Sequence, residues 1–170
     1  MSNFGKALEE ALEFQHNLYR ADGLADIYHE RTAGKFVGRG KFVPDPDKSR
    51  PDFTGVISPG GRMIAFDAKS VGVGYGWALK ADRRHQLEAL ESLDRFGAIA
   101  FFLVESRIRN TIFLLRIRNG ELGYELPRTV FDLPYAESEL LKIPVASGDL
   151  PDYLPEILGS STFAANLNRI

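Results

Sequence analysis

Asp52 and the triplet Asp67-Ala68-Lys69 are the residues of this sequence whose types and spacing can do chemistry. Pro51 precedes the first acid, and fourteen residues separate that acid from the second. Side chains two apart on a strand point to the same face. Asp67 and Lys69 therefore share a face, while Phe66 and Ala68 turn the other way, toward a core. Two carboxylates with backbone carbonyls and water make the hard oxygen site that Mg²⁺ prefers. A metal held there polarises a phosphodiester and lowers the pKa of a bound water. A neighbouring lysine orients that water or offsets charge developing in the transition state. Taken alone, an Asp-x-Lys pair is more often a solvent-facing ion pair of small consequence. Here Met63-Ile64-Ala65-Phe66 leads into the pair, so the charges interrupt an otherwise apolar strand. Charged groups placed there need a partner or a metal.

The elements that must position these groups are legible in part. Ser2 can cap a helix running to about Arg20, with Phe4, Leu8, Ala11, Leu12, Leu18 and Tyr19 at helical spacing and Asp22-Gly23 ending it. A short segment around Ala25 to His29 follows. Thr32 to Arg50 holds three glycines and two prolines with no buried periodicity, and reads as a mobile basic loop. Asp52 to Ile57 and Arg62 to Ser70 form a hairpin through Ser58-Pro59-Gly60-Gly61. Val71 to Trp77 is a loop. Ala81 to Phe96 is a second helix, with Gln86, Ala89, Leu90, Leu93 and Phe96 on one face and Gly97 past its end. Ala98 to Val104 and Thr111 to Ile117 are strands. The order helix, strand, strand, helix, strand, strand predicts an α/β (α+β) fold: a central mixed β-sheet flanked by helices. From about residue 119 an irregular C-terminal extension packs on a single domain spanning residues 1–170.

Composition narrows the class. The 170 residues suit one compact domain, and 44% hydrophobic with 26% charged residues excludes a disordered chain. Without cysteine there are no disulfides or thiolate metal sites. The N-terminus lacks a signal-peptide pattern, and the longest apolar run, Gly97 to Val104, is too short for a bilayer, so the expectation is a soluble cytoplasmic protein. The net charge of −2 divides unevenly. From Asn119 onward there are eight acidic and three basic residues, which leaves 18 basic and 15 acidic before it. Arg31 to Arg50 carries six basic and two acidic residues. A stripe of one sign can steer a polyanion, although on charge alone a solvated loop explains it equally well.

The ordered set of motifs resembles the PD-(D/E)xK nuclease superfamily, with Asp67 in the D/E position, and within it Holliday-junction resolvases of the RecU type and, more distantly, the archaeal Hjc type. The matching pieces are Gly5-Lys6-Ala7-Leu8-Glu9 with Asn17 and Tyr19, Asp52-Phe53-Thr54-Gly55, Ile64 to Lys69, His85-Gln86, and Gly97 to Phe101. The resemblance implies a restriction-endonuclease-like core and a Mg²⁺-dependent endonuclease, with Mn²⁺ substituting. It implies metal ligation by Asp52, Asp67, the main-chain carbonyl of Ala68, and Glu9. Lys69 would be catalytic, and Gln86 would support the site from behind its ligands. The segment at about 31–50 stands where such enzymes carry a projection that enters the junction, in a short glycine-rich version here.

Lys35, Arg39 and Lys41 are then candidate phosphate contacts, with Phe36 and Phe42 able to stack or wedge, and Arg83 and Arg84 can also touch DNA. Gly72-Val73-Gly74-Tyr75-Gly76 lacks the order of a nucleotide-binding glycine loop. His16, His29 and His85 have no zinc spacing. The expected function is resolution of four-way junctions by a homodimer, since two symmetric cuts need two sites. A restriction or repair nuclease of the same superfamily and a junction-binding module that does not cut are the alternatives.

Overall fold

The computed structural model describes residues 3–30, 34–38, 40–44, 50–72, 76–77, 84–107, 111–118, 121–122, 131–132, 141–144 and 150–158. Helix α1 (Asn3–Ala21) buries Leu8, Leu12, Gln15, His16 and Tyr19 at spacings of three and four, and turns Glu10, Glu13 and Asn17 outward. Leu18, expected on the apolar face, is exposed, and His16 takes the inward position instead. Gly23 at φ 66° closes the helix, and the Leu24 N–H donates to the Tyr19 carbonyl at 2.8 Å. Ser2, the expected cap, lies outside the described residues.

The chain then lays down β1 (Ala25–His29), β2 (Gly34–Val37), β3 (Lys41–Pro44), β4 (Phe53–Ile57), β5 (Arg62–Val71) and β6 (Gly76–Trp77). Helix α2 (Arg84–Arg95) precedes β7 (Ile99–Ser106), β8 (Thr111–Arg118), β9 (Glu121–Leu122), β10 (Phe131–Asp132), β11 (Leu141–Pro144) and a short α3 (Leu154–Leu158). The main sheet runs β1-β4-β5-β7-β8-β11, with β9 added to β8. Among the described residues only β5 and β7 pair in parallel, across the crossover that carries α2. All other pairs are antiparallel, so this is the mixed sheet with flanking helices that the element order predicts.

Two apolar layers cover its faces. On one side Ile64, Phe66, Ala68, Phe101 and Leu103 pack with Leu8, Leu12 and Tyr19 of α1 and with Tyr153, Leu154 and Ile157 near the C-terminus. On the other, Ala65, Ala100, Phe102, Val104 and Phe113 pack with Leu90 of α2, and Leu87 and Leu93 close the edge. Gly97 at φ 91° ends α2, with the Ala98 N–H donating to the Leu93 carbonyl, and this turn leaves Phe96 in solvent rather than on the packed face. Among the described residues no helix is long and apolar enough to cross a membrane.

Three expectations need correction. The 31–50 segment is not a plain loop. Its β2 and β3 form an antiparallel ribbon with Phe36 opposite Phe42, turned through Gly38 and Gly40, the latter at φ 77°. Alternation over only four residues per strand is too short to stand out in sequence. The stretch 71–77 is likewise not all loop, because β5 continues through Val71 and Gly76-Trp77 pairs with Phe131-Asp132. The C-terminal third contributes β11 to the main sheet and fully buried Tyr153 and Leu154 to the core.

Candidate active site

The β4–β5 hairpin sets the site's geometry through its register. Phe53 pairs with Phe66 and Ile57 with Arg62, so Asp52, one residue before β4, stands opposite Asp67. Gly55 fits the same hairpin for a steric reason: a Cβ there would lie 2.3 Å from the Asp26 carbonyl oxygen of β1. Alternation along β5 then puts Asp67 and Lys69 on the face that carries Ala65 and α2, and Phe66 and Ala68 on the face covered by α1.

Lys69 Nζ donates to Asp52 Oδ2 and to Asp67 Oδ1, each at 3.0 Å. The Ala68 N–H also donates to Asp52 Oδ2, at 3.0 Å, which ties the first acid to the strand that bears the second. Gln86 Nε2 donates to Asp67 Oδ1 at 3.1 Å from the first turn of α2. Asp67 is wholly buried, whereas the Asp52 carboxylate remains 28% exposed, so the site opens to solvent at Asp52. Asp67 Oδ2 and Gln86 Oε1 are buried and have no hydrogen-bond partner among the described residues.

The electrostatics follow from two carboxylates sharing one ammonium. Burial and the Asp52 charge push the Asp67 carboxyl up to about 7 against the opposing pull of Lys69. Burial alone would lower the Lys69 ammonium, but the Asp67 and Asp52 charges outweigh it and hold it above its ordinary value. A buried acceptor without a donor, beside a carboxylate that burial disfavours ionising, is a place where a cation lowers the energy. The donor set is carboxylate oxygen, which suits a hard divalent cation.

The other expected residues fall as follows. Glu9 is half-buried on α1, the helix covering the opposite face, and among the described residues no three acidic or histidine side chains stand close enough to share a metal. Lys41 is exposed on the β2–β3 ribbon; Arg84 is exposed and ion-paired with Glu88 at 3.5 Å. Arg39, Arg83 and the Lys35 side chain lie outside the described residues. Sequence reasoning passed over Glu30, whose N–H donates to the Asp52 carbonyl at 2.8 Å. Only the β1–β4 register reveals that neighbour, and nothing local in the sequence encodes it.

A family model described as Recombination protein U matches residues 3–154. The Holliday junction resolvase RecU of Geobacillus sp. (strain WCH70) is 26% identical over 136 residues, which is 75% of this chain and 67% of that protein. The Holliday junction resolvase RecU of Pediococcus pentosaceus is 27% identical over 124 residues, 68% of this chain but only 61% of that protein's length. Among solved structures, Archaeoglobus fulgidus Hjc, a Holliday junction resolvase from an archaeal hyperthermophile, superposes with a TM-score of 0.48 at 18% identity, covering 79% of this chain and 95% of its own. With the family model spanning the hairpin, both helices that flank it and the chain as far as Leu154, the chain belongs to the RecU family.

Proposed function

We propose that this chain is a Mg²⁺-dependent endodeoxyribonuclease that resolves four-way DNA junctions by phosphodiester hydrolysis, acting as a homodimer. The observation that carries the reading is Lys69 Nζ held 3.0 Å from both Asp52 and Asp67 while Asp67 Oδ2 lies buried with no hydrogen-bond partner among the described residues. Asp52 and Asp67 would hold the metal, with the Ala68 carbonyl as a further ligand and Mn²⁺ able to substitute. The bound metal supplies Lewis-acid activation of the phosphodiester and of water.

This chain's own groups do the rest. Lys69 keeps its proton in the field of the two acids, so it stands ready to orient water at the exposed Asp52 side and to offset negative charge on the phosphate. Gln86 fixes the Asp67 carboxylate through Oδ1, which leaves Oδ2 to face the ligand. The Ala68 N–H fixes Asp52 in the same way. The β2–β3 ribbon with Lys41 offers cationic surface for DNA. Two symmetric incisions require two such sites, which a twofold dimer provides.

The test is cleavage of a synthetic four-way junction, with linear duplex and flap substrates alongside. The wild type should cut the junction only when Mg²⁺ or Mn²⁺ is added, and Asp67→Ala should lose at least about a thousandfold in rate. Wild-type-like cutting by Asp67→Ala would sink the assignment. Equal rates on linear duplex would replace junction resolution by a broader nuclease activity.

A further inference from the structure

Glu30, Asp52 and Asp67 stand in one row across three neighbouring strands. The β1–β4 ladder pairs His29 with Phe53, and the Glu30 N–H to Asp52 carbonyl bond carries it one residue further. The β4–β5 register, continued by one residue, sets Asp52 against Asp67. Glu30 faces the same side as the two acids, because its Oε1 accepts from Thr54 Oγ1, and Thr54 shares its face with Asp52 two residues before it.

Glu30 does not join the acids as a third carboxylate at a metal, since no such group of three exists among the described residues. Its other oxygen, Oε2, instead faces Arg50 at 3.7 Å. The Arg50 side chain is 63% exposed and the Glu30 side chain 30%. An ion pair that long and that exposed contributes little to folding. It does hold a guanidinium at a defined place: two residues before Asp52, on the open side of the site. Two residues of extended chain span roughly 6–7 Å, the separation of neighbouring phosphates on one strand. Arginine exchanges a carboxylate for a phosphate readily, because its planar fork fits both bidentately.

We propose that Arg50 is a phosphate-contacting side chain for the nucleotide next to the cut, parked on Glu30 in the free protein and transferred from Glu30 to the phosphate when DNA binds. The proposal rests on the nuclease reading of the site for its direction of approach, but its test does not require cleavage. Binding of a fluorescent four-way junction would be measured by anisotropy without divalent metal, across a series of salt concentrations. Arg50→Gln should weaken binding roughly five- to tenfold and lower the slope of log affinity against log salt by about 0.9, the loss of one phosphate contact. Arg50→Lys, which keeps the charge but not the fork, should fall between. Glu30→Gln should tighten binding a few-fold by removing the competitor, and that gain should vanish in the Glu30→Gln/Arg50→Gln double variant.

An unchanged salt slope in Arg50→Gln would overturn the proposal. So would an equal gain from Glu30→Gln with or without Arg50, because a general charge effect would then explain it. The nuclease reading fails separately: a wild type that never cuts, yet shows these binding effects, loses that reading and keeps the contact.

Discussion

On the α1 side of the sheet, four rings stand in register across four strands: His29 on Phe53, Phe53 on Phe66 and Phe66 on Phe101, with centroids 4.7, 4.9 and 4.7 Å apart. On the α2 side of the same hairpin, one residue out of phase, stand Asp52, Asp67 and Lys69. The first face is stacked and buried from Phe53 to Phe101, and His16 and Tyr153 meet its rings nearly edge-on. The second keeps two buried oxygens without hydrogen-bond partners among the described residues. Phe53 follows one acid and Phe66 precedes the other, so each carboxylate of the pair is anchored by a neighbour whose ring is locked in the ladder. Strand alternation thus lets one segment supply both rigidity and strain, on opposite sides.

The sharpest way to break that contrast is to truncate each face at adjacent positions. Phe66→Ala should cost about 3–5 kcal/mol in urea unfolding, the usual range for emptying a packed aromatic site. Asp67→Asn, next to it, should unfold no more easily than the wild type, and later than it above pH 7. The sign follows from Asp67's carboxyl, which is held up to about 7 in the fold against an ordinary 3.8. The folded state keeps a proton that the unfolded chain releases, so stability present below 3.8 is lost as pH rises toward 7. Asparagine has no proton to lose. Equal destabilisation by both substitutions would show that the two faces are not energetically distinct.

A smaller effect separates support of the site from support of the fold. Gln86→Ala removes the donor to Asp67 Oδ1 and a buried amide oxygen that has no partner among the described residues. Metal affinity measured by calorimetry should fall 10- to 100-fold, as expected when a ligand loses its orienting partner, while the unfolding midpoint stays nearly fixed. A large drop in midpoint with unchanged Mg²⁺ affinity would make Gln86 a packing residue only.

What the sequence disclosed of this arrangement was its local part. The hairpin, its turn and the shared face of Asp67 and Lys69 follow from alternation and turn chemistry within twenty residues. The ladder was half visible, as Phe66 and Phe101 each sit in an apolar run while Phe53 stands between Asp52 and Thr54, and the stacking of Phe66 on Phe101 depends on the parallel β5–β7 register across α2. Glu30 and Tyr153 were hidden for the same reason. Glu30 reaches the acids only through β1–β4 pairing, and Tyr153 reaches His16 from 137 residues away. His16 itself was weighed only as a zinc ligand, because a single buried histidine leaves no mark in a helix except its place in the apolar stripe.

That histidine provides the mildest probe of the buried face. His16 Nε2 lies 2.7 Å from the Tyr153 hydroxyl, in a hydrogen bond buried beneath α1. Tyr19 fastens the same segment, donating to Asp152 at 2.8 Å and accepting from the Tyr153 N–H at 2.9 Å. Burial first, then the nearby Arg20 guanidinium, lower the His16 pKa from 6.5 to about 3. The unfolded chain therefore takes up its proton first on acidification. Stability from the neutral ring is complete above 6.5 and is lost down to about 3, at roughly 1.4 kcal/mol per pH unit. Between pH 6.5 and 5 few carboxylates titrate, so the wild type should lose about 2 kcal/mol more than His16→Gln, which can hydrogen-bond Tyr153 but cannot ionise in this range. Parallel pH profiles for the two proteins in urea unfolding would mean that the ring is protonated in the fold, and that the aromatic face tolerates charge as the face with Asp52, Asp67 and Lys69 does.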